Sequence, residues 1–214
     1  MTAAARRASP AQVAVFAKAP VPGEVKTRLV ALLGAGDAAR LHAELVQRAL
    51  ATARNSGVGP VSLWCMPDTS HPFFADCAAR FGVCLHEQRG SHLGERMAAA
   101  FDRLLAAGPA LLVGSDCPSL REEDLRAAAG SLATHDAVFQ PAEDGGYVLA
   151  GLARAVPGLF EGVRWGGATV MRETRARLRA AGASWREMPV RWDVDRPEDY
   201  RRLLASGLLG EART

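Results

Sequence analysis

Residues 111–120 read LLVGSDCPSL, an apolar run that ends on Gly114, Ser115 and Asp116 before Cys117 and Pro118. Such a run, closed by glycine, serine and proline, predicts a buried strand leaving a sheet. A carboxylate at that exit stands where open α/β sheets bind their ligands. Asp116 therefore has two readings of equal weight: a ligand for a divalent cation, or a turn aspartate bonded to its own backbone.

Cations gather at a second point. Residues 12–17 (QVAVFA) predict a first strand, broken at once by Lys18-Ala19-Pro20-Val21-Pro22-Gly23. Glu24, Val25, Lys26, Thr27 and Arg28 follow, so Lys18, Lys26 and Arg28 collect at the strand exit. Of the 26 basic residues only two are lysines, and both lie in this loop. A compact ammonium kept at these places suits phosphate oxygens. The competing reading is a solvated loop.

Acids occupy two further stretches. Residues 141–146 (PAEDGG) join two short strands. They read either as a plain hairpin, for which Asp-Gly is a strong signal, or as a ligand loop. In the second case Gly145 and Gly146 admit close backbone approach while Asp144 accepts bonds from hydroxyl groups. Residues 191–200 (RWDVDRPEDY) run into a closing helix with Pro197 in its first turn. Asp195 can serve that helix as a dipole or cap residue, whereas Asp193, two residues earlier, is harder to assign to capping.

The elements that must position these residues alternate along the chain. Strands are predicted over 12–17, 61–66, 83–86, 110–113, 137–140, 147–150 and 184–190. Helices are predicted over 37–55, 73–80 and 168–181, with a further one carrying Leu93, Met97, Phe101, Leu104 and Leu105 on one face. Gly94, Glu95 and Arg96 read first as the exposed first turn of that helix and second as residues that meet a ligand. Ser119 to Glu122 match a capping box that starts another, which leaves Asp116 free of capping duty. Leu203, Leu204 and Leu208 are expected to anchor the closing helix, and His42 reads as structural. The alternation is that of a doubly wound, mainly parallel sheet with helices on both faces. We expect one α/β domain over residues 11–209 after a flexible N-terminus, residues 1–10.

Composition narrows the function classes. The formal net charge is +3 and aromatics make up 6% of the 214 residues, so the basic stripe with interleaved rings of a nucleic-acid binder is missing. Cys65, Cys77, Cys84 and Cys117 show no metal-site spacing. No apolar run reaches transmembrane length. The expectation is a soluble, cytoplasmic protein; its oligomeric state is not readable from the sequence.

With these residues in place, the chain resembles a bacterial family of candidate glycosyltransferases, the domain-of-unknown-function 2064 group, similar in fold to the nucleotide-diphospho-sugar transferases. Four blocks carry the resemblance. They are Phe16-Ala17-Lys18-Ala19-Pro20 with Pro22-Gly23 and Val25-Lys26-Thr27-Arg28-Leu29; Gly114-Ser115-Asp116-Cys117-Pro118; Asp144-Gly145-Gly146-Tyr147; and Asp193-Val194-Asp195 with Pro197-Glu198-Asp199. The first and third are specific to that family, and the others are shared with guanylyltransferases that load molybdopterin or phospholactate.

The resemblance implies a GT-A type fold, a nucleotide at the carboxyl ends of the strands, and Mg²⁺ or Mn²⁺ bridging its phosphates. Asp116 and one of Asp193 or Asp195 would be the metal carboxylates. Nucleotide contacts would come from Ala17, Lys18, Ala19, Pro20, Gly23, Lys26, Arg28, Ser115, Asp116, Gly145 and Gly146, and catalytic roles would fall to Asp116, Asp144 and Lys26. The chain departs from typical relatives in three ways. It has a single Asp116 in place of Asp-x-Asp, a Pro-Gly loop in place of GxGxR, and Trp165-Gly166-Gly167 where Trp followed by Ser and Thr is expected. The leading expectation is transfer of a sugar from a nucleoside-diphosphate sugar to a small acceptor. The alternatives are nucleotidyl transfer from a triphosphate to a phosphorylated small molecule, and a catalytically silent nucleotide-binding module.

Overall fold

The computed structural model describes residues 10–208; residues 1–9 of the expected N-terminal segment and the expected boundary at residue 209 lie outside them. Seven strands, β1 (Gln12–Lys18), β2 (Val61–Met66), β3 (Cys84–Glu87), β4 (Ala110–Gly114), β5 (Ala137–Pro141), β6 (Tyr147–Leu152) and β7 (Trp185–Glu187), form one sheet in the order β3-β2-β1-β4-β6-β5-β7. Neighbours run parallel except at β6, which is antiparallel to both β4 and β5. The helices are α1 (Val30–Leu33), α2 (Ala35–Asn55), α3 (Pro72–Phe81), α4 (Leu93–Leu105), α5 (Glu122–Ser131), α6 (Val170–Ala180) and α7 (Pro197–Ser206).

The two central strands are apolar at successive positions because both of their faces are covered. Val13, Val15 and Ala17 of β1, with Leu111 and Val113 of β4, pack with Val46 and Leu50 of α2, Phe74 of α3 and Leu125 of α5. The alternate residues Ala14, Phe16 and Leu112 pack on the opposite face with Met97 and Phe101 of α4, Phe160, and Met171 and Leu178 of α6. Each fully buried side chain of this size contributes roughly 1.5–3 kcal/mol. The pleat thus locks the register, since a slip by one residue would exchange the two sets.

From β1 the chain builds outward through β2 and β3, then returns to place β4 on the other side of β1. The exits of β1 and β4 therefore diverge, which opens a crevice at the carboxyl edge of the sheet. A smaller cluster of Leu29, Leu41, Leu45, Trp192, Val194 and Leu203 ties the turn after β1 to α2, α7 and the segment that precedes α7.

Three local expectations are corrected. The helix after Asp116 starts at Glu122 with Arg121 as its cap, and the Arg121 N–H donates to Asp124 Oδ2 at 2.9 Å. Ser119 instead turns its hydroxyl to the Trp192 carbonyl at 3.4 Å, so it offers nothing to a helical N–H, while the charged Asp124 is a strong acceptor for the N–H of Arg121, two residues on. Leu204 is 48% exposed while Leu203 is buried, because adjacent positions of α7 point about 100° apart and its apolar stripe is narrow. β7 stops at Glu187, short of the predicted 190, since Pro189 has no N–H to extend the ladder. Among the described residues, no helix is long and apolar enough to cross a membrane.

Candidate functional site

The loop after β1 is fixed by its own backbone. Ala19 N–H donates to the Met66 carbonyl at 2.7 Å and Glu24 N–H to the Val21 carbonyl at 3.0 Å. With Pro22 and then Gly23 at φ 84°, residues 21–24 form a type II turn. The chain then passes through Lys26, whose φ of 48° makes it the one non-glycine residue with positive φ among the described residues. That conformation is uncommon for a side chain with a Cβ, and it turns Lys26 inward.

Lys26 Nζ lies 2.5 Å from Asp116 Oδ1 and donates to the Val194 carbonyl at 2.6 Å. Asp116 Oδ1 is buried, but the whole side chain is 49% exposed, so its exposure falls on Oδ2. Burial works to raise the Asp116 carboxyl, yet the Lys26 ammonium beside it holds it below the usual carboxylate range. His42 Nε2 is 3.0 Å from the Lys18 carbonyl, and its Nδ1 is 3.8 Å from Asp116 Oδ1. Burial lowers the His42 pKa against the pull of Asp116, so the neutral ring donates from Nε2 to Lys18.

Ala17, Lys18, Lys26, Arg28, Ser115 and Asp116 all line one cavity of about 520 Å³ at the strand exits. Ala19, Pro20 and Gly23 shape the loop without lining that cavity. A second cavity of about 320 Å³ is lined by Glu143, Asp144, Asp193, Asp199, Gly166 and Gly167, among others. Arg28 and Asp195 border both cavities and form an ion pair between them.

The acids of the second cavity are brought there by two devices. Ala142 pairs with Arg191 in an isolated parallel bridge, and Glu143 N–H donates to the Arg191 carbonyl at 3.0 Å. Arg191 is itself clamped by the buried Asp124, at 2.7 and 3.0 Å. Asp193 consequently lies in the field of Asp144 and of Asp116. Burial, then the Asp144 charge and more weakly that of Asp116, push its carboxyl up to about 6. Val194 N–H donates to the Asp116 carbonyl at 2.9 Å, which joins this segment to the exit of β4.

Gly145 and Gly146 line neither cavity. Gly145 N–H donates to the Ala142 carbonyl at 3.1 Å, and Gly146 N–H to Asp144 Oδ1 at 2.8 Å. Both amides are consumed within the hairpin, so these glycines shape the turn that presents Asp144.

A family model described as "Uncharacterized protein conserved in bacteria (DUF2064)" matches residues 49–167, more than half of the chain. The chain belongs to the DUF2064 family. Residues 114–118 and 144–147, which supply Asp116 and Asp144, both lie inside the matched range. DUF2064 membership is joined by a likeness to a protein from Desulfovibrio desulfuricans G20 named as a candidate nucleotide-diphospho-sugar transferase. The two share 32% identity at a TM-score of 0.85, over 93% of this chain and 88% of that one.

Rv0371c of Mycobacterium tuberculosis H37Rv, solved with manganese, is 20% identical at a TM-score of 0.58, over 92% of this chain and 99% of its own. The inositol-1-phosphate CTP transferase of T. maritima is 12% identical at 0.61, over 97% and 100%. These two show the fold alone: a nucleotide-diphospho-sugar transferase-like fold, shared with CTP-using transferases. Among curated proteins, none matches at a significant level.

Three residues of this DUF2064 site escape a reading by residue type. His42 reads as structural, yet it lies beneath Asp116. Gln88, within a polar loop, is buried and donates from Nε2 to the carbonyls of Trp64 at 2.8 Å and Ala17 at 3.3 Å. Both of its amide hydrogens are spent, so the free acceptor is Oε1 at the cavity wall. Arg96, read first as part of an exposed helix turn and only second as a ligand contact, is half-buried and lines the strand-exit cavity. Only their placement just past a strand exit could have flagged the last two.

Proposed function

We propose that the protein is a metal-dependent glycosyltransferase that moves a sugar from a nucleoside-diphosphate sugar to a small hydroxyl-bearing acceptor. The observation that carries this reading is the contrast between the two adjoining cavities. The strand-exit cavity is lined by Lys18, Lys26, Arg28 and Arg96 against Glu24, Asp116 and Asp195, a net positive wall that suits a diphosphate. The second is lined by Glu143, Asp144, Asp193, Asp195 and Asp199 against Arg28 and Arg196. Such an acidic wall repels a phosphorylated acceptor and favours hydroxyl groups that donate hydrogen bonds. That charge balance supports glycosyl transfer ahead of nucleotidyl transfer to a phosphorylated molecule.

The donor set fits a divalent cation in one specific way. No three His, Cys, Asp or Glu side chains among the described residues form a cage of their own, but Mg²⁺ is bound through one or two carboxylates plus substrate phosphates. Asp116, through its exposed Oδ2, and Asp193, whose ionisation is resisted by its acidic neighbours, would hold it. Asp195 is engaged by Arg28 and is the poorer ligand. When bound, the cation neutralises the charge developing on the leaving diphosphate. Lys26 keeps Asp116 ionised and in place. Asp144 orients the acceptor hydroxyl and receives its proton. Lys18 adds positive charge where the diphosphate departs, while Arg28 is largely spent on Asp195.

A thermal-shift series tests the proposal, because a ligand that binds only the native state raises its apparent stability. Nucleoside diphosphates and nucleotide sugars should raise the midpoint only with Mn²⁺, and Asp116→Asn should abolish the rise. No shift with any nucleotide would overturn the reading. Pyrophosphate release from a triphosphate and a phosphorylated acceptor would move it to nucleotidyl transfer.

A further inference from the structure

Of the four cations lining the strand-exit cavity, two are already neutralised: Lys26 by Asp116 and Arg28 by Asp195. The other two, Lys18 and Arg96, have no carboxylate within ion-pair reach among the described residues, and Glu24, the remaining acid of that cavity, pairs with neither. These two cations share a neighbour, Met66. Lys18 and Met66 are register partners across β1 and β2, strands that run about 4.8 Å apart, and Arg96 Nη1 lies against the Met66 thioether. Arg96 Nε is buried and has no acceptor.

A guanidinium cannot shed its proton, and a thioether is a weak acceptor that offsets none of its charge. Holding Arg96 half-buried without an anion is therefore costly. A neutral carbonyl would satisfy its donors but leave the charge in place. A phosphate has enough oxygens to take the planar fork and an ammonium together.

We propose that Lys18 and Arg96 form a phosphate-binding pair at the exits of β1 and β2, apart from the carboxylates Asp116 and Asp193. Lys26 and Arg28, grouped with Lys18 by sequence, then act chiefly on the protein's own acids. The source of the phosphate rests on the transferase reading: it belongs to the nucleotide donor, and a phosphorylated acceptor is the other source with the same chemistry.

Calorimetric titration with inorganic pyrophosphate in EDTA tests the pair without metal or nucleotide. Wild-type protein should bind, and Arg96→Gln and Lys18→Gln should each weaken binding by about tenfold or more. Arg96→Lys should recover part of the loss, and the salt dependence of binding should become shallower in both glutamine variants. Near-UV circular dichroism verifies that each variant keeps its tertiary structure. Wild-type protein that does not bind pyrophosphate, or folded Arg96→Gln that binds within about twofold of wild type, overturns the proposal.

Repeating the titration with a nucleoside diphosphate and Mn²⁺ separates the sources. A matching loss in Arg96→Gln assigns the pair to the donor; a loss confined to inorganic and sugar phosphates assigns it to the acceptor. Nucleotide binding that survives Asp116→Asn would remove the transferase reading, whereas weakened pyrophosphate binding in Arg96→Gln would still support the pair.

Discussion

The ammonium of Lys26 sits 2.5 Å from a buried oxygen of Asp116, carried there by a backbone at φ 48°. The same ammonium holds the Val194 carbonyl at 2.6 Å, so one side chain joins the exits of β1 and β4 to the segment bearing Asp193. Lys26→Met should cost about 1–3 kcal/mol, below the full value for a buried pair because Asp116 is half exposed. Urea unfolding at neutral pH measures it. A loss below about 0.5 kcal/mol would mean that the ion pair contributes no more than a surface contact.

Asp193 makes stability depend on pH in an unusual direction. An aspartate in the unfolded chain ionises near 4, whereas burial, the Asp144 charge and that of Asp116 put the folded value at about 6. The folded state therefore holds the extra proton between roughly pH 4 and 6, and this group's contribution to stability falls as pH rises through that window. The full penalty, up to about 2–3 kcal/mol, is present above it. Groups such as Glu173, held at about 2 by hydrogen bonds from Arg164 and Thr169, act in the opposite sense. The quantity to measure is thus the difference between Asp193→Asn and wild type in EDTA. That difference should grow in favour of the variant from pH 4 to 7; a flat one contradicts the assignment.

Gly145 should tolerate no side chain. Its φ is +90°, and a Cβ there would meet the Ala168 carbonyl oxygen at 2.4 Å and carbon at 2.7 Å. Gly145→Ala should lose about 2 kcal/mol or more and displace Asp144. At Gly146 the nearest atom to a Cβ is Asp144 Oδ1 at 3.1 Å, the end of a side chain that can turn aside, so Gly146→Ala should cost less. Thermal midpoints of the two variants rank them, and equal losses would show that the contact with Ala168 does not decide the effect.

The clamp between Arg191 and Asp124 should matter through its buried half. Asp124 is 6% exposed, so Arg191→Met leaves a carboxylate whose remaining charge partner has gone, at about 3 kcal/mol. Replacing both partners, Arg191→Met with Asp124→Leu, should cost less than the sum of the two single changes. A double-mutant cycle reads the coupling, expected at about 1–3 kcal/mol; no coupling would show that the segment carrying Asp193 is held by its other contacts.

Much of the frame was legible from hydropathy and turn residues. β2 spans Val61–Met66, as expected from its flanking Gly59-Pro60 and Pro67. The four inward residues of α6, Val170, Met171, Thr174 and Leu178, are buried as the helical spacing required. What escaped depends on partners far along the chain. Arg28 meets Asp195 across 167 positions, and the capping role the local pattern offers Asp195 gives no hint of that partner. Ser119 has the form of a cap, but its hydroxyl is drawn to the distant Trp192 carbonyl, and the helix starts two residues later, where Asp124 takes the Arg121 N–H. Arg96 looks like surface because guanidinium groups usually are, and only the packing of α4 over the end of β2 draws it inward.

The lone antiparallel strand has a consequence for how the two cavities can change. Because β6 descends, the chain reaches the far edge of the sheet at Leu152 and must climb back along residues 153–169 before α6 begins. That ascent is anchored by Val156, Leu159 and Phe160 and ends with Gly166 and Gly167 in the wall of the acidic cavity. The cationic cavity, by contrast, takes much of its wall from strand ends whose spacing the sheet dictates. Insertions or exchanges in the ascent can remodel what enters beside Asp144 without altering a strand register, so the acidic cavity can change its shape while the cationic cavity keeps its dimensions.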